Sequence, residues 1–145
     1  MLLGNGEKEP MTDALKHKGY TYRKSVGLPY EEAVSQVTAA LKEEGFGVLT
    51  EIDMRATLKE KLNVEFPRYV ILGACNPQLA HEALRKEVEI GSLLPCNVVV
   101  YDDQAGGSVI SAVDPQTMMG VVQNTELEPI GNEAAERLQR ALNSL

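Results

Sequence analysis

From Tyr20 onward the hydrophobic pattern switches between a two-residue period and a helical one, and the switches mark out the elements. The stretch YTYRKSV alternates polar with larger residues and is rich in β formers, which predicts a strand ending at Gly27. Pro29 then suits a first helical turn, Glu31 and Glu32 favour its positive end, and Tyr30, Val34, Val37 and Leu41 recur at helical spacing until Gly45. FGVLTEIDM predicts a second strand, with Phe46, Val48, Thr50, Ile52 and Met54 on one face and Leu49, Glu51 and Asp53 on the other. RATLKEKLN is weakly helical and Pro67 closes it.

RYVILGAC follows as a third strand whose unbroken apolar run predicts burial on both faces. Asn76 caps a helix that starts at Pro77 and carries Leu79, Ala80, Ala83 and Leu84 inward. After the loop EIGSLLP, the strands CNVVVYD and SVISAV flank the turn DQAGG closely enough to form an antiparallel hairpin. Asp114 and Pro115 read as another cap and first turn, and NEAAERLQRALNSL ends the chain as a helix with Ala135, Leu138 and Leu142 inward. An obvious hairpin excludes a purely parallel doubly wound sheet. The expected fold is α+β: a single domain with a mixed or antiparallel sheet of about five strands and helices packed on one face.

Length agrees, since 145 residues match one domain around one core. Residues 1–18, with Gly4, Gly6 and Pro10 among charges, read as a loose leader without a fold role, which leaves 19–145 as the domain. With no Trp among 43% hydrophobic residues, Val, Leu, Ile and Ala must build the core. The net charge of −7 argues against nucleic acid, whose phosphates call for clustered Lys and Arg, and against an anionic membrane surface. The start carries neither a signal-peptide apolar run nor a spanning helix, so the chain is expected in the cytoplasm. There the only two cysteines, Cys75 and Cys96, would stay reduced.

The blocks EEGFGVLTEIDM, YVILGACNP and EIGSLLPCNVVVY and the later DP resemble successive motifs of the bacterial and archaeal family called domain of unknown function 302. The resemblance spans roughly residues 20 to 120, and its paired cysteine blocks ILGACNP and LLPCNVVV make it specific. It implies a compact α+β fold and a homodimer, and it implies no settled activity. Carried over position by position, the motif residues are Glu51, Asp53, Cys75, Asn76, Pro77, Pro95, Cys96 and Asn97. In one place the pattern departs: where the family has an aromatic, Arg, Pro and Tyr in succession, this chain has Phe66, Pro67, Arg68 and Tyr69, so no role of that Arg is carried to Arg68.

Several readings of the cysteines stand side by side. They can be buried small hydrophobes. They can be a redox pair, with Cys75 activated by the helix start that follows it and Cys96 resolving an oxidised intermediate. They can also be soft metal ligands, completed by Glu51 or Asp53, or by Met118 and Met119 for copper(I), although no CxxC exists and neither His17 nor His81 is well placed. If the third and fourth strands are antiparallel neighbours, the two thiols share one end of the sheet.

Glu51 and Asp53 alternate onto one strand face about 7 Å apart. They could act as acid and base, bind a hard cation, meet Arg68 or Arg23 across a dimer, or simply be solvated. No GxGxxG, P-loop or GxSxG spacing occurs, so nucleotide binding and serine hydrolysis have no motif. The reading that remains is a ligand-binding or sensor module centred on Cys75 and Cys96, with Asn76 and Asn97 offering amides to a small molecule or metal whose identity is unknown. The alternatives are a thiol-dependent redox enzyme using Cys75 and Cys96, and a structural dimer module with no site.

Overall fold

The computed structural model describes residues 12–145. Six strands, β1 (Lys16–His17), β2 (Thr21–Val26), β3 (Gly47–Asp53), β4 (Tyr69–Cys75), β5 (Cys96–Asp102) and β6 (Ser108–Val113), form one sheet in the order β1-β2-β6-β5-β4-β3. Every neighbouring pair is antiparallel. Five α-helices accompany them: α1 (Tyr30–Glu43), α2 (Met54–Leu62), α3 (Pro77–Lys86), α4 (Pro115–Val122) and α5 (Glu128–Asn143). The fold is α+β, with six strands where the sequence predicts about five.

The extra strand is β1, and it lies within the expected leader. Residues 1–11 of that leader fall outside the described residues, but the expectation of no fold role is corrected for its end. Lys16 pairs with Arg23 and His17 with Tyr22, and the His17 Nε2 lies 2.8 Å from Asp114 Oδ2. Two residues show no period of their own, so only the partner strand creates β1.

Alternation sends Val26 on β2, Leu72 on β4, Val98 and Val100 on β5 and Ile110 on β6 to one buried face. Helices α1 and α5 close over it: Ala33, Val37 and Leu41 recur every fourth residue on α1, and Ala135, Leu138 and Leu142 follow the same stripe on α5. Lys24 also points to this side, and its Nζ donates to the carbonyls of Leu142, Asn143 and Leu145, at the negative end of α5. A second, smaller core joins Ala83 of α3, Met119 of α4 and Ile130 of α5 to Ile90 and Leu127 from two short 3-10 segments, Val88–Leu93 and Thr125–Leu127.

The strand β3 departs from simple alternation. Val48 faces Ala74 and Thr50 faces Gly73, which leaves Leu49 as an extra residue in a bulge. One inserted residue reverses everything beyond it. Val48 therefore stays on the helix-covered side, Thr50 and Ile52 turn to the opposite side, and Glu51 and Asp53 come to lie across from Leu72 and Val70. The single face predicted for Phe46 through Met54 is corrected accordingly.

Candidate functional site

Cys75 ends β4 and Cys96 begins β5, and because these strands are antiparallel neighbours the two cysteines lie at the same end of the sheet. Cys96 pairs with Ala74, one residue before Cys75, while Cys75 pairs with Gly47 on β3. Both thiols are free. Two glycines hold the chain here. Gly73 carries no side chain because a Cβ would collide with Thr50 Oγ1 and come to 2.9 Å from Pro95 Cγ. Gly45, at φ +89°, turns the chain out of α1, and a Cβ there would come to 2.9 Å from Asn76 Nδ2.

Beyond this sheet end the two cores do not quite meet. The seam between them is a pocket of about 290 Å³, bounded by Phe46, Ala74 and Cys96 from the sheet side and Ala83, Met119 and Ile130 from the helical side. Among the described residues its only polar side chains are Cys75, Cys96 and Asn76. Asn76 is buried and its Oδ1 accepts from the Leu79 N–H at 3.1 Å, capping α3 as the sequence predicts. Its Nδ2 makes no hydrogen bond among the described residues and lies on the side of Gly45, which does not line the pocket. Burial, reinforced by the neighbouring Cys75, pushes the Cys96 thiol up to about 11. Cys96 is therefore a neutral thiol at physiological pH.

A family model described as "Domain of unknown function DUF302" matches residues 22–145. The chain belongs to this family. A solved DUF302 structure, described as an uncharacterized conserved protein from Bacillus stearothermophilus, is similar at 32% identity with a TM-score of 0.78, covering 85% of this chain and 95% of that one. No curated protein matches the chain.

Within this DUF302 domain the candidate residues from the sequence divide among three places. Cys75, Cys96 and Asn76 meet at the pocket, and of the two adjacent methionines only Met119 joins them. Asn97 points the other way: it lies on the uncovered side of the sheet with Val99 and Tyr101. Glu51 and Asp53 sit at the far end of β3 from Cys75, around a groove with Tyr30 and Glu31. Asp53 has a structural task, since its Oδ1 accepts from the Ala56 N–H and caps α2. Within the chain Arg68 is engaged elsewhere. It pairs with Glu31 and lies 4.9 Å over the Tyr30 ring. Burial, then Asp53, raises the Tyr30 phenol pKa. Among the described residues no group of three or more His, Cys, Asp or Glu could hold a metal ion, and no helix is long and apolar enough to cross a membrane.

Sequence reasoning caught only part of what Asp114 does. Asp114 is buried, caps α4 through the Gln116 N–H, accepts from Thr117 Oγ1 and meets His17. The Asp114-Pro115 cap was legible, but its tie to a residue 97 positions earlier was not. The pocket's volume has no sequence signal, because a void is an absence of side-chain volume, but its place between sheet and helices at the ends of the third and fourth predicted strands was legible from the two cysteines.

Proposed function

We propose that this DUF302 domain is a small-molecule binding or sensor module whose ligand occupies the seam pocket beside Cys75 and Cys96. The observation that carries the reading is the pocket's composition: apolar walls closed at one end by the two thiols and Asn76. A volume near 290 Å³ lies at the small end of ligand pockets and suits a compact, mostly apolar molecule. The raised Cys96 thiol weighs against the redox alternative, since a resolving sulfur has to reach its thiolate form. A cytoplasmic setting, which keeps both thiols reduced, belongs to the same reading.

The test is native mass spectrometry of untagged protein purified without reductant or chelator, followed by thermal melting with indole as a probe. A stoichiometric bound organic mass, or a melting temperature that rises with indole and no longer does so in Ala83→Leu, supports the proposal. A bare chain lighter by two hydrogens returns the weight to the redox pair. A bare, reduced chain indifferent to indole leaves a domain with no site.

A second reading concerns assembly. Among the described residues β3 pairs on one side only, with β4, and its neighbourhood exposes Leu49, Ile52, Leu62, Val64 and Phe66. We propose that a second copy covers this edge, because an unpaired strand rimmed by apolar side chains is a template for pairing. The same spectra count subunits. Glu51→Lys and Ile52→Asp are expected to give monomers, and both variants remaining dimeric at equal stability would remove the proposal.

A further inference from the structure

The side of the sheet away from α1 and α5 carries a feature that the seam pocket does not explain. Register aligns Arg23 on β2 with Ser111 on β6 and Val99 on β5, and sets Tyr69 on β4 opposite Tyr101 on β5. These residues bound a concavity of about 450 Å³, completed by Lys18, Tyr20 and Asn97. Three of the five tyrosines in the chain gather here. The Tyr69 and Tyr101 rings are parallel, 5.5 Å apart with 6° between their planes. The Arg23 Nη2 donates to the Tyr101 hydroxyl at 3.4 Å, which sets the guanidinium against the aromatic wall.

Charge decides what such a surface selects. The chain has net charge −7, yet among the described residues this concavity is lined by two cations and no carboxylate. Among the described residues neither Lys18 nor Arg23 makes a salt bridge; Asp13 shares an adjoining hollow with Arg23 without an ion pair. A guanidinium presents a planar fork that matches a carboxylate or sulfonate, and tyrosine rings offer faces for stacking. The floor of Val99 and Val113 is apolar, and the Asn97 amide at its end can orient a polar substituent.

We infer that this face is a second binding site, for a planar aromatic anion whose acid group is held by Arg23 and Lys18 and whose ring lies against Tyr69 and Tyr101. It is separate from the seam pocket, since no residue lines both. Burial and the neighbouring tyrosines raise the Tyr69 phenol pKa, so its hydroxyl stays neutral beside the anion.

The experiment titrates the full chain with sodium 2-naphthoate and with the neutral 2-naphthalenemethanol, by calorimetry and by amide shift mapping. The expected result is that naphthoate shifts the amides of Asn97, Val99 and Ser111 and binds at least tenfold tighter than the alcohol. Arg23→Gln is expected to weaken naphthoate at least tenfold, with Arg23→Lys between, while both variants melt like the parent. Equal affinity for the two probes, or an unchanged Arg23→Gln, overturns the site. Shifts confined to residues around Cys75 and Ala83 overturn it too and assign the probe to the seam. So does a face that binds no naphthoate and is protected from hydrogen exchange by a second copy.

Discussion

The two hydrophobic cores of this domain are built from the same residue types but to different tightness. In the larger, Leu72, Val98, Val100 and Ile110 on the sheet interlock with Val37, Leu41 and Leu138 on the helices, and each is fully buried. In the smaller, Met119 is buried yet lines a pocket on each of two sides. The difference follows from how the elements meet. A sheet and its covering helices present long parallel rows that fill one another, whereas α3, α4 and two 3-10 segments are short and leave a seam. The room for a guest lies where the second region abuts the first.

The comparison can be broken most directly by truncation. Leu72→Ala should cost about 3–4 kcal/mol by urea unfolding, because the surrounding strands and helices cannot collapse into the space. A much smaller loss would mean that the larger core is not tightly filled. Cys96 gives the next effect, through pH. Its folded thiol holds a proton to about 11, against an ordinary value of 9.0, so between those values the folded state binds more protons than the unfolded. Stability present below pH 9 is therefore lost as pH rises toward 11, by about 2–3 kcal/mol. Tyr22, Tyr30 and Tyr69 are also raised, so the readout is the difference between the parent and Cys96→Ala, whose decline should be shallower.

Met119→Ala should cost about 2 kcal/mol, at the low end for such a change, because a side chain facing space has fewer contacts to lose. A cost equal to that of Leu72→Ala would erase the distinction. The smallest expected effect is a gain: Ala83→Leu fills part of the seam and should raise stability by less than about 1 kcal/mol. A loss above that would show the wall to be already packed.

Much of the frame was legible because local chemistry and tertiary need agree. Pro29 with the acidic pair Glu31 and Glu32 starts α1, Asn76-Pro77 and Asp114-Pro115 start α3 and α4, and DQAGG turns the hairpin, with Asp103 Oδ1 accepting from the Ala105 and Gly107 N–H groups. The last helix begins earlier than its apolar stripe indicates, at Glu128, and Pro129 was the available signal. The bulge at Leu49 was not legible, since a one-residue insertion leaves the alternation of FGVLTEIDM intact while reversing what it means. For the site, strand order decided the matter: antiparallel β4 and β5 put Cys75 and Cys96 at the same end of the sheet, not at disulfide distance, and the same pleat carries Asn97 to the opposite face.

The sheet order has a kinetic consequence. Strands β3 to β6 can assemble through contacts near in sequence, but β2 must find its place beside β6, and Lys24 of β2 bonds a carbonyl 118 residues further along. Closing so long a loop spends chain entropy before any contact rewards it. We expect the β2 seam to zip last, after the folding barrier. Stopped-flow measurements on Lys24→Met should then show faster unfolding with a nearly unchanged folding rate, so that the lifetime of the native state rests on the strand that arrives latest.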